Sequence, residues 1–320
     1  MSQVTLAGKK IEKSRKYGVD LGERGIYDTR NPLNELTGKE WTYFIKSVHV
    51  TDYPDEELKL WGYLNDSLIQ TMYSTNGNES HGHNLRKIHP SPKPPQLMAE
   101  LINFFTMGNQ WVLDPFMGVG GTLLGASLLS PKRNAVGIDL EPNYIEIYKK
   151  VCGQEHLKEQ TSVVGDARTL DDYPEVNERK FDLILTDPPY AMMLSKKRTG
   201  GSRKKGTGYS TPFTESPLDL GNLDYRGFLK ELRKIIGNTI KFLKNKKYLV
   251  IFCKDLQPTK EHHNMLHADI VREFSKINDI QFKGYKIWYD KTINLYPYGY
   301  PFSFVANQLH QYILIFRKEV

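Results

Sequence analysis

Cysteine is nearly missing from this chain. The two present in 320 residues, Cys152 and Cys253, lie far apart, so neither a disulfide framework nor a Cys-x-x-Cys metal signature can be built. No apolar run approaches the roughly 20 residues needed to span a bilayer, and the polar start Met1-Ser2-Gln3 lacks the apolar core of a signal peptide. These absences lead to the expectation of a reduced, cytoplasmic protein with no membrane partner. Histidine is grouped at His81, His83 and His89 and again at His262, His263 and His267, but no cysteine or close carboxylate set completes a coordination shell, and no metal is expected. What remains is ordinary for a globular protein: 39% hydrophobic and 25% charged residues, enough chain for one large α/β domain or two small ones. The 44 basic against 37 acidic residues give +7, which mildly favours a polyanionic partner.

The stretch Phe181-Asp182-Leu183-Ile184-Leu185-Thr186 reads as a buried strand, and it runs straight into Asp187-Pro188-Pro189-Tyr190. Two consecutive prolines stiffen the backbone and remove two donors. The strand should therefore end in a rigid corner that can only accept hydrogen bonds, at the sheet edge where open α/β folds place their ligands. Such a corner, with a carboxylate on one side and an aromatic ring on the other, suits a flat heteroaromatic ring bearing an exocyclic amino group.

Upstream lies a second anchor. Trp111-Val112-Leu113 is a strand, Asp114-Pro115-Phe116-Met117-Gly118-Val119-Gly120-Gly121 a glycine-rich turn, and 122–129 an apolar helix. About 20 residues on, Ala135-Val136-Gly137-Ile138-Asp139 is a strand ending in an acid, the arrangement that holds a ribose through its hydroxyls. The glycine order fails the third glycine of the nicotinamide fingerprint, so a dehydrogenase is disfavoured.

The two motifs together, Asp-Pro-Phe-x-Gly-x-Gly followed by Asp-Pro-Pro-Tyr, resemble those of the S-adenosylmethionine-dependent amino methyltransferases of DNA. The resemblance covers roughly 85–317. It implies a Rossmann-like fold: a mostly parallel seven-stranded sheet with an antiparallel last strand and helices on both faces. Asp187, Pro188, Pro189 and Tyr190 take the catalytic role by this resemblance. Cofactor contacts fall to His89 and Pro90, to Asp114, Pro115, Phe116, Gly118 and Gly120, to Asp139, and to Asp166 and Ala167 at the end of the strand 162–164. Asp166 also has the form of a helix N-cap. The family usually places an aromatic residue after its basic one, whereas here Pro94 follows Lys93, which leaves a contact of Lys93 with the cofactor carboxylate unassigned.

The reaction implied is direct displacement on an amino nitrogen of a base swung out of the duplex and stacked on Tyr190. Neither cysteine follows a proline, unlike the nucleophile of C5-cytosine enzymes. Adenine N6 in DNA is preferred because N4-cytosine enzymes more often carry Ser at the place of Asp187. The alternatives are cytosine N4, guanine N2 in RNA, and a catalytically silent nucleic-acid-binding subunit. DNA is the expected partner, with a cognate restriction nuclease allowed by the resemblance.

Only about 60 residues separate the two motifs, too few for a recognition domain. Residues 1–80 form an N-terminal extension, a further candidate for DNA contact, in which Thr37 and Glu40 have the spacing of a capping box that opens a short helix. The catalytic domain takes 81–320, with 191–222 and 256–310 as candidate target-recognition insertions. The first holds Lys196, Lys197, Arg198, Arg203, Lys204 and Lys205 among glycines and serines, suited to phosphates. The second carries Tyr298 and Tyr300 in an aromatic and proline loop whose rings could stack on bases. A helix is predicted over 223–244, a strand over 248–253, a helix over 267–277, and final strands over 282–289 and 311–317.

Overall fold

The computed structural model describes residues 17–51, 85–190, 214–258, 263–290, 295, 301–302 and 304–320. The lysine and arginine set of 196–205, Tyr298 and Tyr300 lie outside them, as do His81, His83 and His262. The chain divides into two compact units, 1–46 and 47–320.

In the first unit, strands β1 (Gly18–Asp20) and β2 (Ile26–Asp28) pair antiparallel, and helix α1 (Gly38–Phe44) follows. The capping box forms as its spacing predicts. Thr37 N–H donates to Glu40 Oε2 at 2.8 Å, and Glu40 N–H returns to Thr37 Oγ1 at 3.3 Å. Arg24 Nε closes on Glu40 Oε1 at 2.7 Å and neutralises that buried carboxylate.

The second unit alternates strands and helices. In chain order these are β3 (Val48–Thr51), α2 (Pro95–Phe105), β4 (Trp111–Asp114), α3 (Gly121–Leu128), β5 (Asn134–Asp139), α4 (Pro142–Gln154), β6 (Thr161–Val164), α5 (Pro174–Asn177) and β7 (Phe181–Thr186). They are followed by α6 (Tyr225–Thr239), β8 (Leu243–Cys253), α7 (Leu266–Phe274), β9 (Ile280–Asp290) and β10 (His310–Lys318). One sheet runs β3-β9-β10-β8-β7-β4-β5-β6. From β8 to β6 every neighbouring pair is parallel, while β10 lies antiparallel between β8 and β9. The seven expected strands are all there, and the four residues of β3 add an eighth beside β9.

Core and site follow from this order. All six residues of β7 and all eleven of α2 are buried, as a strand flanked on both sides and covered on both faces requires. The chain steps outward through β4, β5 and β6, then returns so that β7 flanks β4 on its other side. Strand order therefore reverses between β4 and β7, and open α/β sheets leave a crevice at the carboxyl ends of such a pair.

One boundary differs from expectation. Helix α6 stops at Thr239, and β8 begins at Leu243 instead of 248. Lys244, Asn245, Lys246 and Lys247 have the polar look of a helix end, but they form the strand's protruding start, where Lys246 takes a positive φ of 61°.

Candidate active site

Four strand ends build the site. At the exit of β4, Asp114 is buried and its carboxylate is a tie: Thr122 Oγ1 donates to Oδ2 at 2.6 Å, Thr186 Oγ1 to Oδ1 at 2.7 Å, and Phe116 N–H to Oδ1 at 3.1 Å. These bonds join β4, the start of α3 and the end of β7. Burial pushes the Asp114 carboxyl up to about 7, and the hydroxyls counter only part of that.

The turn after β4 needs its glycines for packing as well as for backbone shape. Gly118 and Gly120 have φ of 50° and 79°, a region that side chains disfavour. A Cβ on Gly120 would sit 2.3 Å from the Tyr148 ring, and one on Gly118 3.0 Å from His89 Nε2. Gly118 N–H donates to Asp139 Oδ2 at 2.7 Å, and Glu141 N–H to Oδ1 at 2.9 Å. Burial raises the Asp139 carboxyl to about 6. After β6, Asp166 caps the following turn as its type suggests, accepting from Arg168 N–H at 2.9 Å.

The cleft over these ends is open to solvent and spans roughly 540 Å³. Its walls include Pro115, Phe116, Gly118, Asp139, Asp166 and Ala167 from the cofactor set, with Asp187 and Pro189 from the corner. Asp187 and Gly118 therefore share one pocket. A smaller adjoining cleft also reaches Asp187, His89, Phe116 and Gly118, and adds Asp114 and Lys93. Pro90, Gly120, Pro188 and Tyr190 line neither. His89 is mostly buried beside Lys93 and Arg86; burial first, then those two cations, press its pKa down to about 3, so the ring is neutral.

The corner itself differs from the sequence reading in one respect. Tyr190 is not an open stacking face: the ring is 4% exposed and packs in the core, and its hydroxyl donates to Asp187 Oδ1. A phenol beside a carboxylate is better satisfied inward, and the core supplies the apolar contact. The Phe116 ring lines both clefts.

Several site residues escaped the sequence reading. Lys93 is 5% exposed and its ammonium meets Asp187 Oδ2. Arg168 Nε reaches Glu231 Oε1 at 2.6 Å, while Nη1 holds Asp166 Oδ1 at 3.1 Å and the Leu218 carbonyl at 2.9 Å. Through these bonds the segment 214–220 is laid along the large cleft, where Thr214, Leu218 and Asp219 form part of the wall. Apart from Asp166, these partners lie 50 to 94 residues away and leave no local signal. Of the second histidine group, His267 is committed elsewhere: its Nδ1 lies 2.8 Å from Asp255, and its ring stacks on Tyr312 at 4.0 Å.

A family model described as DNA methylase (N6_N4_Mtase) matches residues 8–150, which carry His89-Pro90, the glycine turn and Asp139 and stop short of Asp187. Over those residues the chain is similar to this N6/N4 methylase family. Family resemblance extends to a tRNA (guanine(10)-N2)-dimethyltransferase of Pyrococcus abyssi, 34% identical over 102 residues, which are 32% of this chain and 29% of that protein. The Type II methyltransferase M.MthZI of Methanothermobacter thermautotrophicus is 33% identical over 97 residues, 30% of this chain and 26% of that one. The chain thus spans less than a third of either relative's length. Among solved structures, NSun6 from Pyrococcus horikoshii superposes with a TM-score of 0.45 at 18% identity, over 71% of this chain and 52% of that one.

The residues present fit the N6/N4 methylase cofactor, S-adenosylmethionine. Asp139, Asp166, Asp187 and Asp219 all face one cleft, and such a set of acceptors suits a sulfonium cation carrying hydroxyl and amino donors. Asp139 uses one lone pair of each oxygen on backbone N–H groups, which leaves the other of each able to accept from a ligand hydroxyl.

Proposed function

We propose that this protein transfers a methyl group from S-adenosylmethionine to the exocyclic N6 of adenine in DNA. The observation that carries the reading is the shared cleft of Asp187 and Gly118: an acceptor for an amino group and a cofactor turn open onto the same space. The cofactor supplies an activated methyl. The chain supplies geometry. Asp187, which lines both clefts, accepts from an amino hydrogen and so turns the nitrogen lone pair toward the methyl in a near-attack arrangement. Tyr190 orients the Asp187 carboxylate from the core side. Asp139 and Asp166 hold the adenosine hydroxyls and amine, and Arg168 keeps the 214–220 wall in place. No covalent nucleophile takes part; Cys253 is buried, with its thiol pushed well up by desolvation and by Asp255 and Asp187.

The name of the Pyrococcus abyssi relative favours a second reading, transfer to guanine N2 in tRNA. Guanine N2 is also an exocyclic purine amine, so the same corner would serve. Incubation with labelled S-adenosylmethionine and separate DNA and RNA pools, followed by nucleoside identification, decides between them. N6-methyladenine in DNA is expected. N2-methylguanine in RNA would install the second reading, and no label in either pool would end both.

A further inference from the structure

Lys93 is the buried cation of the corner, and nothing in the reaction as written above uses it. Its ammonium meets Asp187 Oδ2 while the Tyr190 hydroxyl meets Oδ1, so each carboxylate oxygen has one protein partner. The two side chains are 4% and 15% exposed at the ion pair. Lys93 does not arrive there by the freedom of a long side chain alone. Arg86 Nη2 donates to the Lys93 carbonyl at 2.6 Å, and Arg86 Nε to the Val119 carbonyl at 3.3 Å, which fastens the Lys93 backbone to the glycine turn. Gly121 closes the fit: a Cβ there would lie 3.0 Å from the Lys93 carbonyl oxygen. The Phe252 ring lies 5.4 Å below the ammonium.

Direction matters as much as contact. Asp187 lines both clefts, whereas Lys93 lines only the smaller one. The ammonium therefore grips the carboxylate from the side away from the large cleft. An ionised carboxylate has about four lone-pair sites, and the two protein donors take two of them. The remaining pair is the acceptor that an amino group in the large cleft would meet.

Stability alone is a poor reason to keep such a pair. Desolvating two charges costs about what their attraction returns, and apolar residues of similar volume often serve as well. Resting on the methyl-transfer reading, we infer that Lys93 is a positioning residue: it locks the Asp187 carboxylate in the orientation that receives the substrate amine, and ties that orientation to the cofactor turn through Arg86.

The test compares wild type with Lys93→Met, Lys93→Gln and Lys93→Arg, using the nucleic acid that the wild type labels. Lys93→Met is expected to lower kcat about 100-fold, the scale on which misplaced groups slow a reaction. The dissociation constant for S-adenosylmethionine and the KM for nucleic acid should stay within about threefold, and Lys93→Arg should recover most of the rate. Wild-type kcat in both Lys93→Met and Lys93→Gln overturns the inference. So does a loss confined to cofactor affinity. Crystal structures of the same proteins read the carboxylate directly, whatever the activity. Asp187 turned from its wild-type orientation in the Met or Gln variant supports positioning, and an unchanged carboxylate overturns it. Should the wild type label neither DNA nor RNA, the methyl-transfer reading falls while the carboxylate orientations still decide the role of Lys93. If Lys93→Met does not fold, Lys93→Gln carries the same comparisons.

Discussion

Asp187 has two duties that mutation can separate. It accepts from the substrate amine in the proposed reaction, and it neutralises Lys93 in a nearly dry corner. Asp187→Ala would leave the ammonium unpaired, at a cost of about 3–5 kcal/mol, and would confuse catalysis with folding. Asp187→Asn is the cleaner probe. It should lower kcat by about 100-fold or more while the dissociation constant for S-adenosylmethionine, measured by calorimetry, changes less than about threefold. Equal losses in both would show that Asp187 belongs to cofactor binding instead. Gly120 tests the turn from the other direction. An alanine there combines a φ of 79° with a Cβ 2.3 Å from Tyr148, so Gly120→Ala should destabilise by about 2 kcal/mol or more in chemical denaturation. At this scale Asp187, Gly118 and Asp139 were legible in the sequence because each ends a strand or bends a turn beside a recognisable run. Lys93 was not: its partner is 94 residues away, and no periodicity reports an ion pair between two loops. Tyr190 was legible as a member of the corner but not as a core residue, since four residues cannot say which way a ring turns.

Elements explain why those residues meet. Asp114 links the end of β4 to α3 and β7, and its carboxyl is raised from 3.8 to about 7. A carboxyl raised in the folded state binds more protons there than in the unfolded chain, so it stabilises fully below the unfolded value and loses that contribution as pH rises through the folded one. His89, pressed down to about 3, acts oppositely: its contribution is lost as pH falls below the ordinary imidazole range. The variant Asp114→Asn isolates the first effect. Relative to wild type, its stability should improve by on the order of 4 kcal/mol between pH 4 and 7 and then level off, as read from urea midpoints. A flat difference would show that Asp114 is ionised throughout. Arg168 offers a second test, because it joins Asp166, Glu231 and the Leu218 carbonyl. Arg168→Met should raise the cofactor dissociation constant about tenfold, equivalent to about 1.4 kcal/mol, with a smaller effect on thermal midpoint. Strands β4 to β7 were readable because short apolar runs ended in glycine, proline or aspartate. Strand β3 was not, being four residues long beside a longer partner. The start of β8 was misread because Lys244 to Lys247 look like a solvated helix end until the pairing of Leu243 with Phe181 of β7, far away in sequence, is known.

For the whole molecule, the quantity that matters to a nucleic-acid partner is charge and where it is carried. The formal excess is +7, and the segment 196–205 alone holds Lys196, Lys197, Arg198, Lys204, Lys205 and Arg203 directly after the Asp-Pro-Pro-Tyr corner. Cations that neutralise phosphates release condensed counterions, so the logarithm of affinity falls linearly with the logarithm of salt, with a slope near −0.9 per phosphate contacted on duplex DNA. If the six residues contact three or four phosphates, replacing all six by Gln should flatten that slope by about three. Affinity near 0.1 M salt should fall strongly, while the slope for S-adenosylmethionine stays unchanged. Fluorescence anisotropy against a labelled duplex across a salt series measures both proteins under identical conditions. An unaltered slope would mean that the segment is a solvated surface and that phosphate contact comes from elsewhere on the chain. A flattened slope with undiminished sequence preference would separate backbone attraction from base recognition, since phosphate contacts position a protein and do not read sequence. Recognition would then have to be sought in 1–80 or in 256–310, the stretch that carries Tyr298 and Tyr300.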